Sequence, residues 1–201
     1  MVAEREAYAA RLEIDYPEGD LDRVTTFFRI IWAIPIIIIL ALVSASIGNG
    51  LGVSGGFFLA TLLLILFRQV YPRWWFDFIR ELTRFESRAV AYLLLLTDKY
   101  PSTEDAQSVH IEIDYPDAKQ DLNRWLPLAK WLLAIPHYIV LTILGILAAF
   151  AVIIAWFAIL FTGNYPRGLF NFVVGVMRWS LRVQAYAFLL VTDRYPPFSL
   201  E

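Results

Sequence analysis

Two histidines, His110 and His137, are the imidazoles available for catalysis or metal ligation, and the chain has no cysteine. Without cysteine there are no disulfides, thiolate metal sites or thiol nucleophiles. His137 follows Pro136 in a long apolar stretch, where a neutral imidazole suits an axial ligand to haem iron or a chlorophyll magnesium. The structural alternative is a histidine at a membrane boundary, hydrogen-bonded to a neighbour. His110 falls in an extended segment and reads as an exposed strand residue. Two arginine pairs at i,i+4, Arg84/Arg88 and Arg178/Arg182, have the donor geometry to clamp phosphate in lipid head groups. Their structural alternative is pairing with Asp77, Glu81 or strand carboxylates while the stems snorkel to water. Glu13, Asp15, Glu112 and Asp114 alternate along two extended segments, and alternation alone provides no convergent acid–base pair. No HExxH, P-loop, GxSxG or dinucleotide fingerprint occurs. No catalytic residue, metal set or required cofactor is therefore assigned.

The elements that must carry these residues are set by where charge is missing. Apolar residues make up 59% of the 201 and mean hydropathy is +0.57, above a soluble domain's composition. The net charge of −2 leaves no basic field for nucleic acid. Between Arg29 and Arg68 lie 38 uncharged residues, and between Lys130 and Arg167 lie 36. As one helix, 38 residues would reach about 57 Å, nearly twice the apolar thickness of a bilayer. Each tract is therefore expected to make a hairpin of two membrane spans. Ser44–Gly56, rich in glycine and serine, is the expected first turn; the second has no clear marker beyond Gly145.

The chain repeats itself. Glu13-Ile14-Asp15-Tyr16-Pro17 returns as Glu112-Ile113-Asp114-Tyr115-Pro116, and Ala33-Ile34-Pro35 as Ala134-Ile135-Pro136. Tyr71-Pro72-Arg73 returns at Tyr165-Pro166-Arg167, and Thr97-Asp98-Lys99-Tyr100-Pro101 as Thr192-Asp193-Arg194-Tyr195-Pro196. Matches in the same order mark a duplication. Repeat one, residues 1–104, is expected to hold a strand at 11–16, a membrane hairpin at 27–68 and an amphipathic helix at 73–97. Repeat two, residues 105–201, is expected to hold a strand at 109–115, a hairpin at 126–162, a helix at 168–191 and an extended tail at 193–200.

In repeat one the third stretch carries Asp77, Arg80, Glu81, Arg84 and Arg88 on a narrow helical arc. Five charges at mid-depth, at about 2.5–3.5 kcal/mol each, exclude a crossing. The expected architecture is thus an α-helical integral membrane protein with four transmembrane helices, two interfacial amphipathic helices and a small cytoplasmic β layer. All 17 Lys and Arg lie outside the neutral tracts, which places both termini in the cytoplasm of a bacterial inner membrane. Met1–Glu18 lacks a signal-peptide pattern, so the first hairpin is expected to direct insertion.

The runs Ala134-Ile135-Pro136-His137-Tyr138, Trp156 to Gly163 and Tyr165-Pro166-Arg167-Gly168-Leu169-Phe170 resemble a bacterial membrane family known as domain of unknown function 4389. Arg178-Trp179, Arg182-Val183-Gln184-Ala185-Tyr186 and Thr192 to Phe198 extend the resemblance through most of repeat two. Repeat one is a diverged copy, with Ile36 in place of the histidine and Phe85 in place of the tryptophan. The resemblance implies a membrane protein and transfers no catalytic residue. The resulting expectation is a non-enzymatic accessory or scaffold subunit whose partners are the lipid bilayer and other membrane subunits. The alternatives are a lipid-, pigment- or haem-binding protein using His137 and the arginine pairs, and, less favoured because no acid lies inside the expected spans, a small transporter.

Overall fold

A computed structural model describes residues 8–47, 52–102, 105 and 107–201. Alternation of apolar and charged residues produces the two strands, β1 (Ala10–Ile14) and β2 (Val109–Ile113). Each buries its first, third and fifth residues: Ala10, Leu12 and Ile14 in one, Val109, Ile111 and Ile113 in the other. They pair antiparallel with Leu12 opposite Ile111. Since the strands are copies of one another, this pairing places a pseudo-twofold axis through the centre of the sheet.

The helices follow in matching order. Repeat one contributes α1 (Arg23–Phe27), α2 (Arg29–Ile47), α3 (Gly52–Leu63), which continues as a π turn over Leu64–Arg68, and α4 (Arg73–Leu93). Repeat two contributes α5 (Pro127–Leu133), α6 (Ile135–Thr162) and α7 (Arg167–Ala187). Pro72 and Pro166 stand at the N-caps of α4 and α7, where the chain loses nothing by lacking an N–H. Pro35 sits inside α2, whereas Pro136 opens α6 just after a break at Ala134.

The duplication is domain-swapped in miniature. Helix α7 of repeat two lies on β1 of repeat one, and α4 of repeat one lies on β2 of repeat two. Both cover the buried face of the sheet. Helix α6 then packs on α7, and α2 on α4, to form a third layer. The inward stripe of α6 is narrow: His137, Ala148, Ala151, Ala155 and Ile159 are buried. Its small alanines permit close helix approach. Most of the rest of α6 is exposed.

The second neutral tract does not turn back. Instead of a hairpin over 126–162, α6 runs unbroken for 28 residues. The physical reason is composition: Gly145 stands alone in an apolar run, and no turn residues accompany it. Four transmembrane helices are not supported: among the described residues one helix, α6, is long and apolar enough to cross a membrane, and the apolar stretches Arg29–Leu42 and Phe57–Arg68 are shorter. In the first tract the expected turn over 44–56 is narrower than its composition implied. Helix continues to Ile47 and resumes at Gly52, and residues 48–51 lie outside the described residues. Residues 103 and 104, at the expected junction of the repeats, also lie outside them.

Left-handed backbone recurs at matched positions. Gln69 and Gly163 end α3 and α6 with φ of 47° and 79°, and Leu95 and Leu190 adopt 63° and 57° beyond α4 and α7. The second copy relieves the first position with glycine. A Cβ on Gly163 would stand 3.0 Å from Asp20 Cγ. Gly163→Ala is expected to cost about 1–2 kcal/mol, from the left-handed penalty and this contact. The measurement is a lowered thermal midpoint in mild detergent.

Candidate functional site

Two buried cations, one per repeat, stand at the start of the neutral tracts. Arg29 and Lys130 are 3% and 0% exposed. Arg29 pairs with Asp98 and donates to the Thr97 carbonyl at 3.1 Å. Lys130 stands 2.7 Å from the Asp193 carboxylate and donates to the Thr192 carbonyl at 2.7 Å. The cations lie over Tyr92 at 4.2 Å and Tyr186 at 5.3 Å. The other oxygen of each aspartate accepts a backbone N–H, from Asp22 at 2.7 Å or from Asn123 at 2.6 Å. Asp22 and Asn123 in turn cap the following turn with their side chains. Burial pulls the Lys130 ammonium below its ordinary range, and Asp193 opposes that shift. Each construction ties the entry of the apolar helices to the exit segment of the same repeat. The sequence marked Arg29 and Lys130 only as the edges of neutral tracts. Their recurrence beside the repeated Thr-Asp motif was the signal that could have identified them.

The expected arginine pairs hold backbone. Arg178 donates from Nε to the Leu12 carbonyl at 3.0 Å, and Arg84 to the Ile111 carbonyl at 3.2 Å. Each thus fastens its helix to the strand of the other copy. Arg88 donates to the Ser102 carbonyl at 2.5 Å, and Arg182 to those of Ser199, at 3.1 Å, and Glu201. Arg84 also meets Glu81 at 2.8 Å. Burial and then the charge of Arg178 pull Arg182 below the usual guanidinium range. A phosphate would have only the remaining N–H groups of these side chains.

His137 is fully buried. Its Nδ1 accepts from the Trp179 indole at 3.1 Å, and Phe198 stacks on the ring at 4.0 Å. Nε2 is buried and has no hydrogen-bond partner among the described residues. An axial ligand role would require open space in the ring plane beside this buried Nε2. The strand carboxylates face outward: Arg11 meets Glu112 at 3.0 Å and Asp114 at 2.9 Å, and His110 meets Asp15 at 3.1 Å. Among the described residues, no group of three or more His, Cys, Asp or Glu is placed to hold a metal ion.

A second set of matched contacts joins the strand ends to the helices. Tyr16 donates to the Tyr165 carbonyl at 2.5 Å and Tyr115 to the Tyr71 carbonyl at 2.6 Å. Arg167 covers the ring of Tyr16 and Arg73 that of Tyr115, at 4.7 and 4.6 Å. These four residues lock the end of each strand to the start of the other copy's helix. Between α4 and α7 an open cleft of about 470 Å³ has Leu12, Glu86, Tyr138 and Gln184 among its lining. Burial raises the Glu86 carboxyl above its ordinary range, with Gln184 partly offsetting this.

Two tandem copies of one strand-and-helix unit, joined by exchange of their helices, define the class of protein. The chain belongs to the family described as domain of unknown function 4389, which matches residues 23–103 and 126–199. No curated protein and no solved structure matches it.

Asp193→Asn leaves the buried Lys130 charge without its counter-ion and is expected to cost about 3–5 kcal/mol. The double change Lys130→Met with Asp193→Asn should cost less than Asp193→Asn alone, as read from thermal unfolding in detergent. Glu86 folds preferentially in its neutral form, so the stability it contributes is full at acidic pH and is lost as pH rises through its raised pKa. Glu86→Gln should therefore raise the thermal midpoint at pH 7, with the gain shrinking toward pH 4.

Proposed function

We propose that the chain is a non-enzymatic membrane protein of the bacterial cytoplasmic membrane, serving as an accessory or scaffold subunit of a larger membrane complex. The observation that carries this reading is the outward surface of α6. Ile139, Ile146, Phe150, Ile153, Phe157 and Phe161 are each at least half exposed. Only 22% of the most apolar window of α6 is buried, whereas the core helix of a soluble protein would be mostly buried. In repeat one, Ile30, Ile34 and Ile38 on α2 are exposed as well. An apolar area of this extent requires lipid or other apolar helices against it.

The scaffold assignment rests on what the polar groups do. The arginine pairs and the Arg29 and Lys130 constructions brace backbone. The test is gentle extraction of the tagged protein from its own membrane, followed by subunit analysis and an absorption spectrum. Stoichiometric membrane partners without a chromophore are expected. A protein that elutes alone, or one with a visible band lost in His137→Ala, would overturn the scaffold reading.

A further inference from the structure

The alignment of the layers determines how this protein sits against a bilayer. Tyr8 hydrogen-bonds to the Arg182 and Arg194 carbonyls, and Tyr16 to the Tyr165 carbonyl. The segment holding β1 therefore runs beside α7 from one end to the other, antiparallel to it. Helix α6 also lies along α7. Its first turn meets the far end of α7, with Tyr138 and Phe188 ring centroids 6.1 Å apart. Its last residue, Thr162, is joined to Arg167 by a short turn. Strand, α7 and α6 thus share one direction, in three successive layers.

If α6 stood upright across a bilayer, β1 would stand upright too. Arg11, Glu13, Glu112 and Asp114 would then lie at hydrocarbon depth on an open face, with Glu112 and Asp114 more than half exposed. Charges placed in lipid without a protein or water-filled enclosure are too costly for that orientation. With the sheet parallel to the bilayer the conflict disappears. The charged face meets water, α4 and α7 lie below it, and α2 and α6 present their apolar faces away from it. The pseudo-twofold axis, perpendicular to the sheet, then gives both repeats the same depth. Trp74 and Trp125 are 71% and 66% exposed at the starts of α4 and α5. Arg124 lies over Trp125 at 5.9 Å. These residues supply the aromatic and cationic rim of an interfacial protein. A helix layer about 10 Å thick fits within a single leaflet of about 15 Å.

We infer that α6, although long enough to cross, lies in the plane of one leaflet with its outward face against acyl chains. The occupant of the apolar face is lipid, and the protein is embedded from one side. This inference rests on the membrane reading above and adds the orientation to it.

The absence of cysteine makes the test direct. Spin labels are placed singly at Ile139→Cys, Phe150→Cys, Phe161→Cys and Glu13→Cys in the full chain, in phosphatidylethanolamine–phosphatidylglycerol vesicles. Accessibility to oxygen and to a water-soluble nickel complex then reports depth. Ile146→Cys and Ile153→Cys serve if a variant loses helicity. The expected result is similar depth in one leaflet for all α6 sites, with the label at residue 13 open to nickel. An upright helix would separate residues 139 and 161 by about 33 Å, placing them at opposite surfaces with 150 at the centre; that profile overturns the inference. Shielding of α6 from oxygen and nickel alike, the signature of a protein partner on that face, overturns it as well. If every α6 label is open to nickel, the membrane reading itself fails, and the inference with it.

Discussion

A two-stranded ribbon is marginal on its own in water, and here its two strands come from opposite halves of a duplicated chain. Each strand needs the other for its ladder and needs the other copy's helix to cover its apolar face. Arg178 and Arg84 reinforce the exchange by donating to the Leu12 and Ile111 carbonyls. The tyrosines at 16 and 115 close the strand ends in the same crosswise manner. Within this chain neither repeat completes its inner layer alone. The third layer and the cation constructions form within each repeat, and the exchange brings the two sets together on one sheet.

The buried cations show how the fold handles the edge of a neutral tract. Arg29 and Lys130 begin stretches in which no further charge appears for more than 30 residues. A charge placed there must be balanced or brought to water, and here it is balanced by an aspartate from the end of the same repeat. A buried pair of this kind adds little net stability, whereas losing one partner is costly. Its contribution is geometric: it holds the entry and exit of each repeat together. The replacement of arginine by lysine between copies preserves the charge and the carbonyl acceptor, though the aspartate is contacted through different donor geometry.

Much of the architecture was legible in the sequence. The duplication, the period-two strands and the charged arc of α4 all come from spacing along a single element. The hairpin expected in the second tract failed for an identifiable reason. The tract holds a single glycine and no cluster of turn residues, and α6 runs unbroken through it beside its amphipathic neighbour α7. The arginine pairs are legible in the sequence, but their acceptors are not, because backbone carbonyls of a strand more than 20 residues away leave no mark in composition. His137 was singled out for its isolation. Its burial between Trp179 and Phe198 depends on the tail returning over the start of α6.

What the sequence determined by itself was periodic and local: which residues alternate, which faces are apolar, where charge is absent, and that the pattern occurs twice. These properties follow from side-chain chemistry and the geometry of single strands and helices. Which copy's helix covers which strand was decided by tertiary structure, as was the side of the molecule on which the apolar tracts gather. The physical reason is that the repeats are nearly equivalent locally. Packing within a copy and packing between copies satisfy the same local preferences, and only antiparallel closure of the sheet around a shared axis distinguishes them.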